Sequence, residues 1–207
     1  MRRGRSGLRV PFVTIGYAAA MLATNIWLES ASRDTERRVL AATSTDLAHL
    51  GRDPWLVVPA SAFFTRGGLP FAIAGCLVCM GLLEMAAGSR LVLLVAAAGH
   101  VVGTLVSEGV ALVRIVAGDL PDSARHAVDV GPSYILVACG VALVTWPQVD
   151  PRLRVAVAVA LAPLFVFTAW RLPAGRVDAI GHLTAALVGL LVGRRLAART
   201  RATEMPA

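Results

Sequence analysis

Residues Gly131 to Trp146 read GPSYILVACGVALVTW: a serine, then twelve uncharged residues, then tryptophan. From Ser133 to Trp146 the run is 14 residues, or roughly 21 Å of helix at 1.5 Å per residue. A hydrocarbon core is about 30 Å thick, so this segment stops short of one surface. With Trp146 and Pro147 anchoring its inner end, Ser133 lies below the headgroups, reached through the loop before it. The helix start also leaves backbone N–H groups unpaired and pointing outward, where an oxyanion can be held.

The surrounding chain makes a membrane the natural setting. Of 207 residues, 57% are hydrophobic and the mean hydropathy is +0.69, against about 45–50% apolar in soluble domains. All 20 basic residues are arginine, a usage expected of a high-GC, bacterial genome. The net charge of +7 does not imply nucleic acid. The arginines sit at the chain ends and between apolar segments, where they set topology and face anionic lipid. Cys76 and Cys79 form C-x-x-C in GCLVCMG, and Cys139 stands alone. With no second pair, a zinc site is excluded and the three read as buried soft side chains. No cofactor and no metal is expected.

Six apolar stretches fall near 11–28, 69–89, 91–113, 133–147, 153–170 and 180–196. The first follows Arg2, Arg3, Arg5 and Arg9, but its apolar length exceeds the roughly 7–15 residues of a signal peptide, so it reads as a retained anchor. The expected fold is all-α: a polytopic bundle of six helices over residues 11–196, with a basic N-terminus at 1–10 and a tail at 197–207. Arginine placement puts both ends in the cytoplasm of a bacterial plasma membrane. The long outer loop, about 29–68, carries Val39, Leu40, Leu47 and Leu50 at near-helical spacing among charges, which predicts short interfacial helices. Pro54-Trp55 marks re-entry at headgroup depth.

Polar groups inside a bilayer are costly and mark function by default. Ser133 heads the fourth segment and His182 the sixth, at matching depth. Seven residues beyond each, two helical turns, stand Gly140 and Gly189. Small faces let membrane helices approach closely, so these two faces are expected to meet and bring Ser133 within hydrogen-bond reach of His182. Such a dyad supplies a nucleophile and its base. His100, Thr104 and Glu108 form a polar ladder one turn apart on the third segment. It is read either as a structural contact, with His100 bonded to Glu84, or as part of a site. Asp129 is expected to cap the helix of Ser133, and Asp178 either orients His182 or is an exposed loop charge. His49 and His126 read as loop histidines.

This set of residues resembles the rhomboid family of intramembrane serine proteases. The family pattern is six helices, G-x-S-G heading the fourth, and a histidine in the sixth followed by small residues and a glycine. Here those read GPSY and GHLTAALVG, with PW (Pro54-Trp55) in the first outer loop and GLLEMAAGSR, containing Glu84, ending the second helix. The resemblance implies that Glu84 locks the first outer loop and that Gly131, Tyr134, His100 or Asp129 assists an oxyanion or orients the dyad. Three departures stand out. Tyr134 replaces the glycine after the serine. Gly68 and Ala72 stand where the family carries H-x-x-x-N. Val137 stands where a tyrosine stacks on the histidine.

The function these residues lead one to expect is a serine endopeptidase that cleaves transmembrane or juxtamembrane segments of other membrane proteins. Ser133 would attack and His182 would take the proton. The alternative is a catalytically inactive relative that binds membrane helices, favoured by the missing oxyanion side chains. A small transporter built on His100, Glu108 and Glu84 ranks third, since paired discontinuous helices are absent. The partners expected are membrane segments and lipid, not nucleic acid.

Overall fold

The computed structural model describes residues 10–172 and 176–204, with side chains through Ala198. The basic stretch expected over 1–10 therefore lies outside the described residues but for Val10, as does the very end of the tail. No strand occurs among the described residues. The helices are α1 (Phe12–Ser30), α2 (Arg33–Ala42), α3 (Leu47–Leu50), α4 (Pro54–Ser61), α5 (Leu69–Ala87), α6 (Ser89–Val116), α7 (Ser133–Thr145), α8 (Pro151–Arg171) and α9 (Val177–Glu204). Five of them, α1, α5, α6, α8 and α9, are long and apolar enough to cross a membrane, and α7 is the short sixth.

The apolar runs become helices for ordinary reasons. Proline occupies the first turn of α8, after the Asp150 carboxylate that accepts from Arg152 N at 2.7 Å, since a missing N–H costs nothing there. Gly88 takes φ +90° between α5 and α6, turning the chain within one residue. Pro147 follows the end of α7 and cannot extend it. Within α5, residues Cys76–Gly81 widen into a π turn. Cys76, Cys79 and Cys139 are buried free thiols, as their setting predicts.

At the centre is α7. It is apolar all round, and a helix of that kind is buried. Val137, Ala138, Cys139, Ala142 and Leu143 are wholly enclosed, and α7 packs against α5, α6, α8 and α9. The peripheral α8 buries only Val157 and Thr168, and α5 and α8 have no extended contact with each other. Both lean on α7, and at Gly140 their side chains Cys79 and Leu161 converge on it.

Glu84 is where the sequence reading is corrected. Its buried carboxylate accepts from Val13 N at 3.0 Å, Thr14 N at 2.8 Å, Thr14 Oγ1 at 2.8 Å and Ser89 Oγ at 2.6 Å. It locks the start of α1 to the α5–α6 corner, at the end of the bundle opposite the long loop, and is remote from that loop. The four orphan N–H groups at a helix start attract an acid. The loop is held instead by α1. Asn25 Nδ2 donates to Phe63 O at 2.8 Å, Asn25 Oδ1 accepts from Thr65 N at 2.9 Å, and Tyr17 donates to Ala62 O.

The long loop folds into α2, α3 and α4, as its amphipathic spacing predicts. Val57 and Ser61 on α4 are enclosed while Trp55 is 92% exposed, which suits a ring at a lipid interface. His100 fixes this helix from below. Its Nε2 donates to Val58 O at 2.8 Å and lies 3.1 Å from Ser61 Oγ. A carbonyl only accepts, so Nε2 carries the proton. His100 thus anchors the loop and makes no bond to Glu84. It stands eleven residues into α6, roughly 16 Å along its axis, so α4 reaches well into the bundle. His100→Ala should release α4 and make the loop at least several-fold more sensitive to limited proteolysis in detergent, while the helical content stays unchanged. Equal cleavage rates in parent and variant would contradict the anchor.

Candidate functional site

The loop before α7 is stitched to the long loop. Thr45 N donates to Asp129 O at 2.9 Å, Asp129 N donates to Ser44 Oγ at 3.0 Å, and Gly131 N donates to Ser61 O at 2.9 Å. Gly131 adopts φ +143°, a backbone that side chains rarely allow. Asp129 was expected to cap α7 and does not. Its carboxylate faces Thr45 Oγ1 at 3.3 Å, and α7 starts with no side-chain cap. The N–H groups around Ser133 therefore have no side chain satisfying them, which keeps an oxyanion position open.

Which side of α7 faces which neighbour decides the fate of the dyad. A Cβ on Gly189 of α9 would collide with the Ala138 backbone, within 2.9 Å of its carbonyl carbon. A Cβ on Gly193 would stand 3.2 Å from the Ala142 Cβ, and one on Gly103 of α6 would stand 3.1 Å from the Tyr134 ring. One on Gly181 would overlap the Tyr134 hydroxyl. So Tyr134, Ala138 and Ala142, spaced one turn apart, form the face seated between α6 and α9. Helices α7 and α9 do meet as expected, but through Ala138 and not Gly140. Gly140 points elsewhere, toward Leu161 of α8 and Cys79 of α5. Leu136, three residues after Ser133, reaches Gly75 of α5. Ser133, Leu136 and Gly140 therefore share the face of α7 turned toward α5 and α8.

The residue that meets His182 is Tyr134. Their rings pack edge to face with centroids 5.3 Å apart, and Tyr134 OH lies 3.3 Å from Ser107 Oγ at its far end. The Ser133 side chain has no hydrogen-bond partner among the described residues, and Nε2 of His182 is buried and likewise unpartnered. No hydrogen bond therefore joins Ser133 to His182, contrary to the sequence expectation. Asp178 forms ion pairs with Arg171 at 2.6 Å and Arg176 at 3.6 Å, which leaves it holding arginine and not the imidazole.

The ladder on α6 divides. His100 is taken by the long loop, Thr104 Oγ1 is buried without a partner, and Glu108 is 8% exposed. With Glu84 at the opposite end of the bundle and His100 engaged by α4, the chain of polar groups that a transporter would need is interrupted. His49 bonds Asp46 at 2.9 Å, and His126 lies in a 3-10 turn. No cluster among the described residues could hold a metal ion. Sequence reasoning missed Ser107, Ser61 and Asn25. Their only signal was a polar residue inside an apolar run or at its edge.

No curated protein and no solved structure matches the chain. The sequence model of the rhomboid-like protein family matches residues 8–202, nearly the whole length. A bundle of five spanning helices around a short central one, headed by Ser133, agrees with that match, and the chain belongs to the rhomboid-like protein family.

Proposed function

We propose that this protein holds a transmembrane segment of another membrane protein against α5 and α8, the helices on the Ser133 side of α7, and does not cleave it. The observation that carries the reading is the placement of Tyr134. Its ring occupies the crevice of Gly103 and Gly181 and meets His182, while Ser133 has no hydrogen-bond partner among the described residues. A nucleophile without a bonded base is a weak one. The side-chain donors expected in the family are also missing, with Gly68 and Ala72 at those positions, and losing one oxyanion donor typically costs about 10²–10³ in rate.

A second reading keeps the enzyme. His182 Nε2 is buried without a partner, and a buried polar nitrogen is costly to leave unpaired. Hydrogen bonds of catalytic groups are often long before substrate binds. In that reading Ser133 Oγ attacks a peptide carbonyl, His182 takes its proton and returns it to the leaving amine, and water from the long-loop side hydrolyses the acyl-enzyme. Cleavage of model transmembrane substrates in liposomes separates the two. The helix-holding reading expects substrate retention on the purified protein and no cleavage. Cleavage abolished by Ser133→Ala would establish the enzyme.

For orientation, we infer from the arginine bias that both ends are cytoplasmic and that the long loop faces outward, in the plasma membrane. A reporter active only outside that membrane should work when fused at Ala41 and stay silent at Ala207. The reverse pattern would invert the topology.

A further inference from the structure

We infer that the cavity between α6, the start of α9 and the 120–130 segment is a binding site for a ligand that joins an ammonium group to a phosphate. The cavity measures about 480 Å³ and is lined by Ser107, Glu108, Asp129 and Tyr134 together with Arg66 and Arg176. Neither Ser133 nor His182 lines it, and its use does not depend on whether the protein cleaves peptides. Its volume falls in the roughly 300–1,000 Å³ range of small-molecule sites.

The two ends of the cavity carry opposite demands. Glu108 lines its wall, is only 8% exposed, and has no hydrogen bond or ion pair among the described residues. A carboxylate that deep needs a cation or a donor. Ser107 Oγ is beside it on α6, and Tyr134 OH lies 3.3 Å from that hydroxyl. Asp129 adds a second carboxylate. Burial raises its pKa above the ordinary range, the Thr45 hydroxyl opposes that, and the charges of Asp178 and Asp46 raise it further. Among the described residues no ion pair joins Glu108 or Asp129 to a basic side chain, so the carboxylate end suits an incoming positive group.

The rim is basic. Arg66, exposed on the long loop, has no ion-pair partner among the described residues, and Arg176 is 59% exposed with its only described acid, Asp178, at 3.6 Å. Asp178 is already engaged more closely by Arg171, at 2.6 Å. An ammonium at Glu108 and a phosphate at Arg66 and Arg176 satisfies both ends at once, and guanidinium groups favour phosphate. An aminoalkyl phosphate can arrive as a soluble molecule or as the headgroup of a lipid, and the cavity lies at the long-loop end of the spanning helices, where either is available.

The test uses the full-length protein. In detergent, O-phosphoethanolamine is titrated calorimetrically, with ethylamine and inorganic phosphate as separate controls. In nanodiscs, retention of phosphatidylethanolamine over phosphatidylglycerol is read by native mass spectrometry. Saturable binding of the soluble probe indicates a soluble ligand, and retention of phosphatidylethanolamine alone indicates the lipid. In either case Glu108→Gln and Arg66→Gln should each weaken binding about tenfold or more, the loss of one charge-assisted hydrogen bond. Arg66 is exposed, so its variant keeps the test decisive if Glu108→Gln folds poorly. Absence of binding in both settings, equal binding of the separate controls, equal retention of the two lipids, or variants that bind like the parent would each overturn the proposal.

Discussion

Glu84→Ala should destabilise the protein by roughly 3 kcal/mol or more, although Glu84 is remote from Ser133. The carboxylate accepts four hydrogen bonds, two from the Val13 and Thr14 N–H groups and two from the Thr14 and Ser89 hydroxyls. Removing it orphans two backbone donors, each costing about 1–3 kcal/mol when buried, and strips the negative charge from a helix start that favours one. Glu84→Gln keeps an acceptor and the volume, so it should lose less. Thermal unfolding in detergent, read by the α1-sensitive fluorescence of Trp27, ranks parent, Gln and Ala in that order. An alanine variant as stable as the parent would mean that α1 is held by apolar packing alone.

Gly189→Ala should be as damaging, for a steric reason. Its new methyl group would stand within 2.9 Å of the Ala138 carbonyl carbon and Cα, and backbone cannot swing aside as a side-chain tip can. Helix α9 must therefore move off α7, and overpacking of this kind costs about 1–3 kcal/mol and occasionally more. Gly109→Ala is the control. It lies on α6 with nothing within 4 Å of the added carbon, and replacing a helical glycine gains up to about 1 kcal/mol. The two substitutions add the same atom, so opposite signs in thermal stability isolate the interface. A Gly189→Ala protein as stable as Gly109→Ala would remove the close approach of α7 and α9.

These two residues also show how far the sequence could be read. The spans were legible because apolar runs and their breakers are local: the run expected at 69–89 is the helix Leu69–Ala87, and Gly88 turns the chain at its end. The rotation of α7 was not legible, because a helix that is apolar on every side carries no phase. The pairing of Gly140 with Gly189 rested on equal spacing from Ser133 and His182. The better signal was four-residue spacing: Gly99 and Gly103 on α6 and Gly189 and Gly193 on α9 bracket Ala138 and its neighbours. Glu84 was misassigned for a similar reason. Its partners are backbone N–H groups 70 and 71 positions away, and nothing in a sequence marks which helix start lies beside an acid. Asp129 could cap or pair, and Thr45, far off in sequence, decided it.

The placement of Tyr134 against His182 is the centre of the functional account, and a serine-directed fluorophosphonate tests it most directly. The probe is applied to the purified parent protein, to Ser133→Ala and to His182→Ala, in detergent and in liposomes. With no base bonded to the Ser133 hydroxyl, the account predicts that the parent labels no faster than either variant. Labelling of the parent that disappears in both variants, which act as one unit in a working dyad, would contradict it and assign the protein to the proteases.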